Sequence, residues 1–288
     1  MNRHDCILTL ACEDRTGIVH AVSGFLFERG CNILDSAQFG DETTRLFFMR
    51  VHFERPVTLA YSTVHAEFAS VGERFGMRWE IHDAHRRARV LLMVSRHGHC
   101  LNDLLFRWHS GTLPIDIPAI VSNHRDYEGL AASYDLPFHH LPLAPGADAA
   151  AKAAQETRLL DLIEREQIDL VVLARYMQIL SPELCARLSA RAINIHHSFL
   201  PSFKGARPYA QAHERGVKLI GATAHYVTSD LDEGPIIEQD VARVDHGMDA
   251  NDLTAIGRDI ECVVLARAVR WHVEHRILLN GRKTVVFR

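Results

Sequence analysis

The sequence predicts an α/β protein in two parts: an N-terminal ferredoxin-like βαββαβ segment, residues 1–84, then a larger Rossmann-like unit with a mostly parallel sheet, residues 85–288. Three observations carry this reading. Near the N-terminus the apolar period switches between strand and helix in the order βαββαβ. Beyond Arg89, continuous apolar runs alternate with amphipathic helices, the pattern of strands covered on both faces. Between the two, His82 to Arg89 is the one compositional seam.

In the first segment, Cys6 to Leu10 reads as a strand, and Glu13-Asp14-Arg15-Thr16-Gly17 turns it into a helix. Ile18, Ala21, Val22, Phe25 and Leu26 recur there at helical spacing, and Gly30 closes the helix. Asn32 to Phe39 and Arg45 to Phe53 read as two strands joined by a hairpin turn at Gly40 to Thr44. After Pro56 a second helix carries Val57, Ala60, Tyr61, Val64, Phe68, Val71 and Phe75 on its inner side, and Met77 to Ile81 is the last strand.

In the second segment, Val90 to Ser95 is an apolar strand, and Leu101, Leu104, Leu105 and Trp108 form the inner stripe of the helix that follows. Ile117 to Ser122 is predicted as one strand, with a short helix at Glu128 to Tyr134 and a strand at Phe138 to Leu141. A helix from Ala151 to Glu166 leads into a buried strand, Asp169 to Leu173. Further on come a helix ending near Arg215, strands at Leu219 to Val227 and Pro235 to Val241, and a long helix from Asn251 to His272. The short strands Arg276 to Leu278 and Thr284 to Val286 close the chain.

Composition excludes several classes of function. With 288 residues, 47% of them hydrophobic, the chain can bury a large core, and its net charge of −4 does not point to nucleic acid or to a membrane surface. The basic run Arg86-Arg87-Ala88-Arg89 reads as a solvated face. No apolar stretch approaches the roughly 18 residues of a membrane span, and Asp5, Glu13 and Asp14 interrupt the N-terminus, so a cytoplasmic protein is expected. The six cysteines, Cys6, Cys12, Cys31, Cys100, Cys185 and Cys262, form no CxxC pair, and the nineteen histidines form no HExxH. Reduced thiols are expected, with no metal and no cofactor.

The chemistry concentrates in Ile193-Asn194-Ile195-His196-His197-Ser198, read with Asp232. On an extended strand Asn194 and His196 share one face while Ile193 and Ile195 anchor the other, and His197 is expected to point away from His196. Pro201, Gly205 and Pro208 end the strand and open a loop. An asparagine amide can donate to a developing oxyanion, an imidazole can move a proton, and a carboxylate can orient that imidazole. The set suits acyl transfer or acyl hydrolysis. A GxSxG elbow is absent and no cysteine adjoins the pair, so direct attack by water or an amine is the simpler expectation.

Two resemblances extend this reading. Asp14-Arg15-Thr16-Gly17-Ile18-Val19, with Gly30-Cys31-Asn32-Ile33, resembles an ACT domain, although Thr16 stands where that family commonly has proline. The resemblance implies an amino-acid effector at Asp14, Gly17 and Asn32, and pairing into a homo-oligomer. Asn194-Ile195-His196, Ser198-Phe199-Leu200-Pro201-Ser202-Phe203-Lys204-Gly205, Gly221 to Val227 and Leu231-Asp232-Glu233-Gly234-Pro235-Ile236-Ile237 together resemble the formyltransferase domain of folate-dependent enzymes. That resemblance implies that Asn194, His196 and Asp232 act on the formyl group of 10-formyltetrahydrofolate. It further implies that Arg175, Met177, Ile179, Leu180, Val227 and Gly234 contact the folate, and that His225 supports the site by hydrogen bonding.

In members that formylate a phosphorylated amine, a glycine-rich turn after the first strand holds the phosphate. Here that stretch is Ser95-Arg96-His97-Gly98-His99-Cys100-Leu101-Asn102, with one glycine and two bulky histidines. With an ACT-like segment in front as well, the whole chain resembles the formyltetrahydrofolate deformylase family. Hydrolysis to formate and tetrahydrofolate, balancing one-carbon pools for purine synthesis, is what this implies. Two alternatives stay open, a formyltransferase with an amine acceptor and a non-catalytic amino-acid or folate sensor. Whether His196 or Asp232 is the base is likewise open.

Overall fold

The computed structural model describes residues 4–144, 146–201 and 208–288. Two compact units divide the chain, one made of Met1–Arg86 with Glu274–Arg288 and the other of Arg87–Val273.

The first unit is built from β1 (Asp5–Glu13), α1 (Ile18–Glu28), β2 (Asn32–Asp41), β3 (Leu46–Glu54), α2 (Tyr61–Phe75) and β4 (Arg78–Asp83). Its four-stranded sheet has the order β2-β3-β1-β4, antiparallel throughout, which is the predicted ferredoxin-like topology. Gly17 enters α1 at φ 96°, a left-handed conformation that glycine adopts without penalty. Ile18, Val22, Phe25 and Leu26 of α1 join Val64, Phe68 and Phe75 of α2 in one core against the sheet. Phe25 and Phe68 meet edge to face with ring centroids 5.1 Å apart. One expectation is corrected here: α2 begins at Tyr61, and Val57 is 74% exposed. The cause is local, because Leu59 N–H donates to the Pro56 carbonyl and forms a separate turn ahead of the helix.

The second unit opens with β5 (Ala88–Val94) and α3 (His99–His109), followed by β6 (Ile115–Asp116) and β7 (Ile120–Ser122). The single strand expected over Ile117 to Ser122 is thus cut short, since Pro118 has no N–H for a ladder. Next come α4 (Glu128–Ser133), β8 (Phe138–His140), α5 (Ala149–Arg165), β9 (Leu170–Leu173) and α6 (Pro182–Arg187). The sequence reading missed α6, although its signals are present: Pro182 begins the helix and Ser181 Oγ accepts from Leu184 N–H at 3.2 Å. Then follow β10 (Ala192–His196), α7 (Pro208–Glu214), β11 (Leu219–Tyr226), β12 (Ile236–Arg243) and α8 (Ala250–Val273).

The main sheet runs β12-β11-β10-β9-β5-β7-β8, with β6 beside β5. Its β5, β7, β8, β9 and β10 are parallel, whereas β11 and β12 are antiparallel additions. The chain winds outward from β5 in one direction and then returns to add β9 and β10 on the other side. That reversal makes the carboxyl ends of β5 and β9 the switch point where such sheets bind ligands.

The last two strands, β13 (Ile277–Asn280) and β14 (Lys283–Val286), form an antiparallel hairpin. The sequence reading kept residues 274–288 with the second unit, but they fold with the first. Leu278, Val285 and Phe287 pack on Ala11, Phe48, Ala37 and Leu46 of the antiparallel sheet. Among the described residues no helix is long and apolar enough to cross a membrane.

Candidate active site

Asn194 and His196 alternate on β10 and both line a cavity of about 240 Å³ at the strand's carboxyl end. The antiparallel register sets His225 of β11 directly across from Asn194, which puts the two on one face. Asp232 comes from the loop after β11. Tyr226 N–H donates to the Pro235 carbonyl at 3.0 Å, and Glu233 N–H to the Asp230 carbonyl at 3.2 Å, so the loop folds back over the strand end. Asp232 itself is held at φ 57°, a left-handed conformation that costs a non-glycine residue on the order of 1 kcal/mol or more and persists where its surroundings fix it.

These four side chains meet. His196 Nδ1 lies 3.2 Å from Asp232 Oδ1, and His225 Nε2 lies 3.7 Å from the same oxygen. His225 Nδ1–H donates to the Tyr226 carbonyl at 2.9 Å, and its Nε2 lies 3.3 Å from Asn194 Nδ2. Burial pushes the Asp232 carboxyl up, but hydrogen bonds from His196 and His225, with their charge, outweigh it and hold Asp232 well below the usual carboxylate range. It is therefore ionised at neutral pH. With Nδ1 turned to Asp232, His196 keeps Nε2, a buried atom with no hydrogen-bond partner among the described residues.

Arg175, Met177, Ile179, Leu180 and Val227 all line the same cavity, Met177 and Ile179 forming a rim 56% and 62% exposed. Gly234 does not: it is buried against the chain, and a Cβ there would sit 1.7 Å from the Tyr226 carbonyl oxygen. Its expected substrate contact is replaced by a packing role, close backbone approach inside the loop that carries Asp232. His197 is a second correction. Its ring stacks on His196 at 5.1 Å and 16°, and it lines the cavity instead of pointing away, because β10 ends at His196 and alternation ends with it. Thr228 to Leu231 and Tyr176 also line the cavity. The stretch Ser202 to Arg207, including Gly205, lies outside the described residues.

Behind the cavity the turn after β5 is filled by the protein itself. Tyr127 lies so close to Gly98 that a Cβ there would meet its ring at 2.2 Å, and its hydroxyl donates to the Arg96 carbonyl at 2.9 Å. His99, Cys100 and Glu261 bring their donor atoms within 4.8 Å of one another. Their chemistry does not suit a metal ion: Glu261 is already engaged by His99 and Tyr209 and faces Arg175, and burial pushes the Cys100 thiol far up, which keeps it protonated. In the first unit, Asp14 and Gly17 lie in the turn between β1 and α1 and Asn32 opens β2, all three exposed.

The Formyl transferase family profile matches residues 88–269, and the ACT domain profile matches residues 7–68. A formyltetrahydrofolate deformylase of Corynebacterium sp. (strain P-1) is 50% identical over 98% of this chain and 98% of its own, and one of Bacillus subtilis (strain 168) is 48% identical over 97% and 93%. The crystal structure of formyltetrahydrofolate deformylase from Burkholderia mallei superposes with a TM-score of 0.93 at 54% identity, covering 99% of this chain and all of that one. The chain belongs to the formyltetrahydrofolate deformylase family.

Proposed function

We propose that this protein hydrolyses 10-formyltetrahydrofolate to formate and tetrahydrofolate, with His196 as the proton carrier, Asp232 as its orienting carboxylate and Asn194 as the oxyanion donor. The observation that carries the reading is the polarity of His196: Nδ1 faces an ionised Asp232 at 3.2 Å, leaving Nε2 beside the cavity without a partner among the described residues. Water attacks the formyl carbon and gives a proton to His196 Nε2. The carbonyl oxygen becomes an oxyanion, which accepts a hydrogen bond from the Asn194 amide. The intermediate then collapses, the C–N bond breaks, His196 returns the proton to the leaving nitrogen, and formic acid ionises to formate.

Water is favoured over an amine as the attacking group because the turn expected to cradle an acceptor's phosphate is packed with Tyr127 and closed by the His99–Glu261 contact. Arg175, Met177, Ile179, Leu180 and Val227 form the wall for the folate, with no cofactor taking part. The same proposal includes an amino-acid effector at Asp14, Gly17 and Asn32, and a cytoplasmic role in the supply of formate for purine synthesis. Pairing of the first unit into a homo-oligomer is supported by Ile33, Leu34 and Phe39 of the edge strand β2, which are 38%, 47% and 47% exposed.

The test is formate release from 10-formyltetrahydrofolate in buffer without amine, for wild type, His196→Ala and Asp232→Asn. Release by the wild type and a loss of about a hundredfold or more in each variant is expected. Turnover only after an amine is added would return the protein to the transferases. No turnover under either condition would favour the sensor.

A further inference from the structure

Glu261 on α8 is 1% exposed, takes no part in the reaction above, and yet gathers three polar side chains from three other parts of the second unit. Its Oε2 faces His99 Nε2 at 2.7 Å and Arg175 Nε at 3.4 Å, and its Oε1 accepts from the Tyr209 hydroxyl at 2.6 Å. A buried carboxylate without partners is costly. Here burial pushes the acid up, but the His99 hydrogen bond, the Arg175 charge and the Tyr209 hydroxyl hold it below its ordinary value. One helical turn earlier, Gly257 leaves the space for Tyr209, because a Cβ there would lie 2.1 Å from its ring. A single face of α8 thus seats both the ring and the hydroxyl of Tyr209.

The line continues toward the reacting atoms. Arg175, left-handed at φ 66° and 10% exposed in its side chain, turns Nε to Glu261 and Nη1 to His197 Nδ1. A guanidinium only donates, so His197 Nδ1 accepts and the ring carries its proton on Nε2. That ring is nearly parallel to His196, and Tyr209 flanks it at 6.4 Å. With Nδ1 taken by Arg175, that nitrogen cannot carry the reaction's proton, which is left to His196.

We propose that Glu261 is a positioning residue for the hydrolysis: from behind the cavity it holds Arg175 and Tyr209, and through Arg175 it fixes the orientation and tautomer of His197, the ring on which His196 is stacked. The proposal rests on His196 being the proton carrier. Removing the negative charge leaves the buried Arg175 cation uncompensated, so the guanidinium leaves its place and both rings lose their support. Displacements of about 1 Å at reacting groups cost on the order of a hundredfold.

Formate release and the ring ¹⁵N spectrum of His197 are measured for wild type, Glu261→Gln, Arg175→Met and the double variant. The expected result for Glu261→Gln is a fall in kcat of about ten- to hundredfold with KM within about threefold of wild type. That loss shrinks to about twofold or less in the Arg175→Met background, and His197 becomes a mixture of tautomers. An unchanged kcat, a loss that adds in full to that of Arg175→Met, or an unchanged His197 tautomer overturns the proposal. Should Glu261→Gln not fold, Arg175→Lys decides: a His197 spectrum and kcat equal to wild type overturn it, and a mixed tautomer with lowered kcat supports it. A wild type that releases no formate counts against the hydrolase reading, while the His197 spectra report on the positioning line without turnover.

Discussion

Oδ1 of Asp232 lies 3.2 Å from His196 Nδ1 and 3.7 Å from His225 Nε2, and its carboxyl is held well below the usual range. A carboxyl depressed in the fold contributes stability above its unfolded value of about 3.9, and that contribution is lost as pH falls through the lower folded value. The stability gap between wild type and Asp232→Asn, followed by urea unfolding, is therefore expected to narrow as pH falls below about 4. A gap that widens below about pH 4 would contradict a carboxyl depressed in the fold. At this scale the sequence was informative where a regular strand governs direction, as in the alternation of Asn194 and His196, whereas Asp232, in a loop, was legible only through the family resemblance. His197 was not, because one residue past a strand end the period that predicts direction no longer applies.

The elements that carry these residues follow the same division between regular and irregular backbone. Long amphipathic stretches such as α1, α5 and α8 were read from their spacing, whereas Pro118 divided a strand and the turn after Pro56 delayed a helix. The loop from Val227 to Pro235 depends on one such local constraint. A Cβ on Gly234 would meet the Tyr226 carbonyl oxygen at 1.7 Å and His225 Nδ1 at 3.2 Å, with backbone, not a flexible side-chain tip, as the nearer obstacle. Gly234→Ala should push the loop outward and carry Asp232 away from His196. The expected outcome is a loss of kcat of about a hundredfold, comparable to Asp232→Asn, together with destabilisation of about 1–3 kcal/mol. Parallel measurement of formate release and of the urea midpoint checks it, and near-wild-type activity would show that the loop tolerates the methyl group.

For the molecule as a whole, the least legible feature was where the chain ends. The strand patterns of residues 277–286 were plain, but nothing in their spacing says which sheet they cover. The answer lies far away in sequence, in Arg50, 3% exposed, which donates from Nε to the His275 carbonyl and from Nη2 to the Glu274 carbonyl at 3.1 Å each. Asn280 adds a bond from Nδ2 to Asp41 Oδ2 at 2.6 Å. Arg50→Met removes two donors from the carbonyls that begin the hairpin, and a cost of about 2–4 kcal/mol to the first unit is expected. In hydrogen exchange this appears as faster exchange of the β13 and β14 amides, with β9 and β10 unchanged, and uniform loss across both units would refute the local account.

The same join should respond to acid. His82 stacks on His275 at 3.5 Å and 4°, and burial, reinforced by the charges of Arg86 and Arg50 against the opposing pull of Glu80, keeps His82 below the ordinary histidine value. A histidine depressed in the fold takes up its proton more readily when unfolded, so stability is full above about pH 6.5 and declines as pH falls through the folded value. Lowering pH from 7.5 to about 5 should loosen β13 and β14 in hydrogen exchange corrected for intrinsic rate, and His82→Phe, which keeps an aromatic face without a proton site, should flatten that dependence. An equal acid response in His82→Phe would place the sensitivity elsewhere and leave the stack as packing alone.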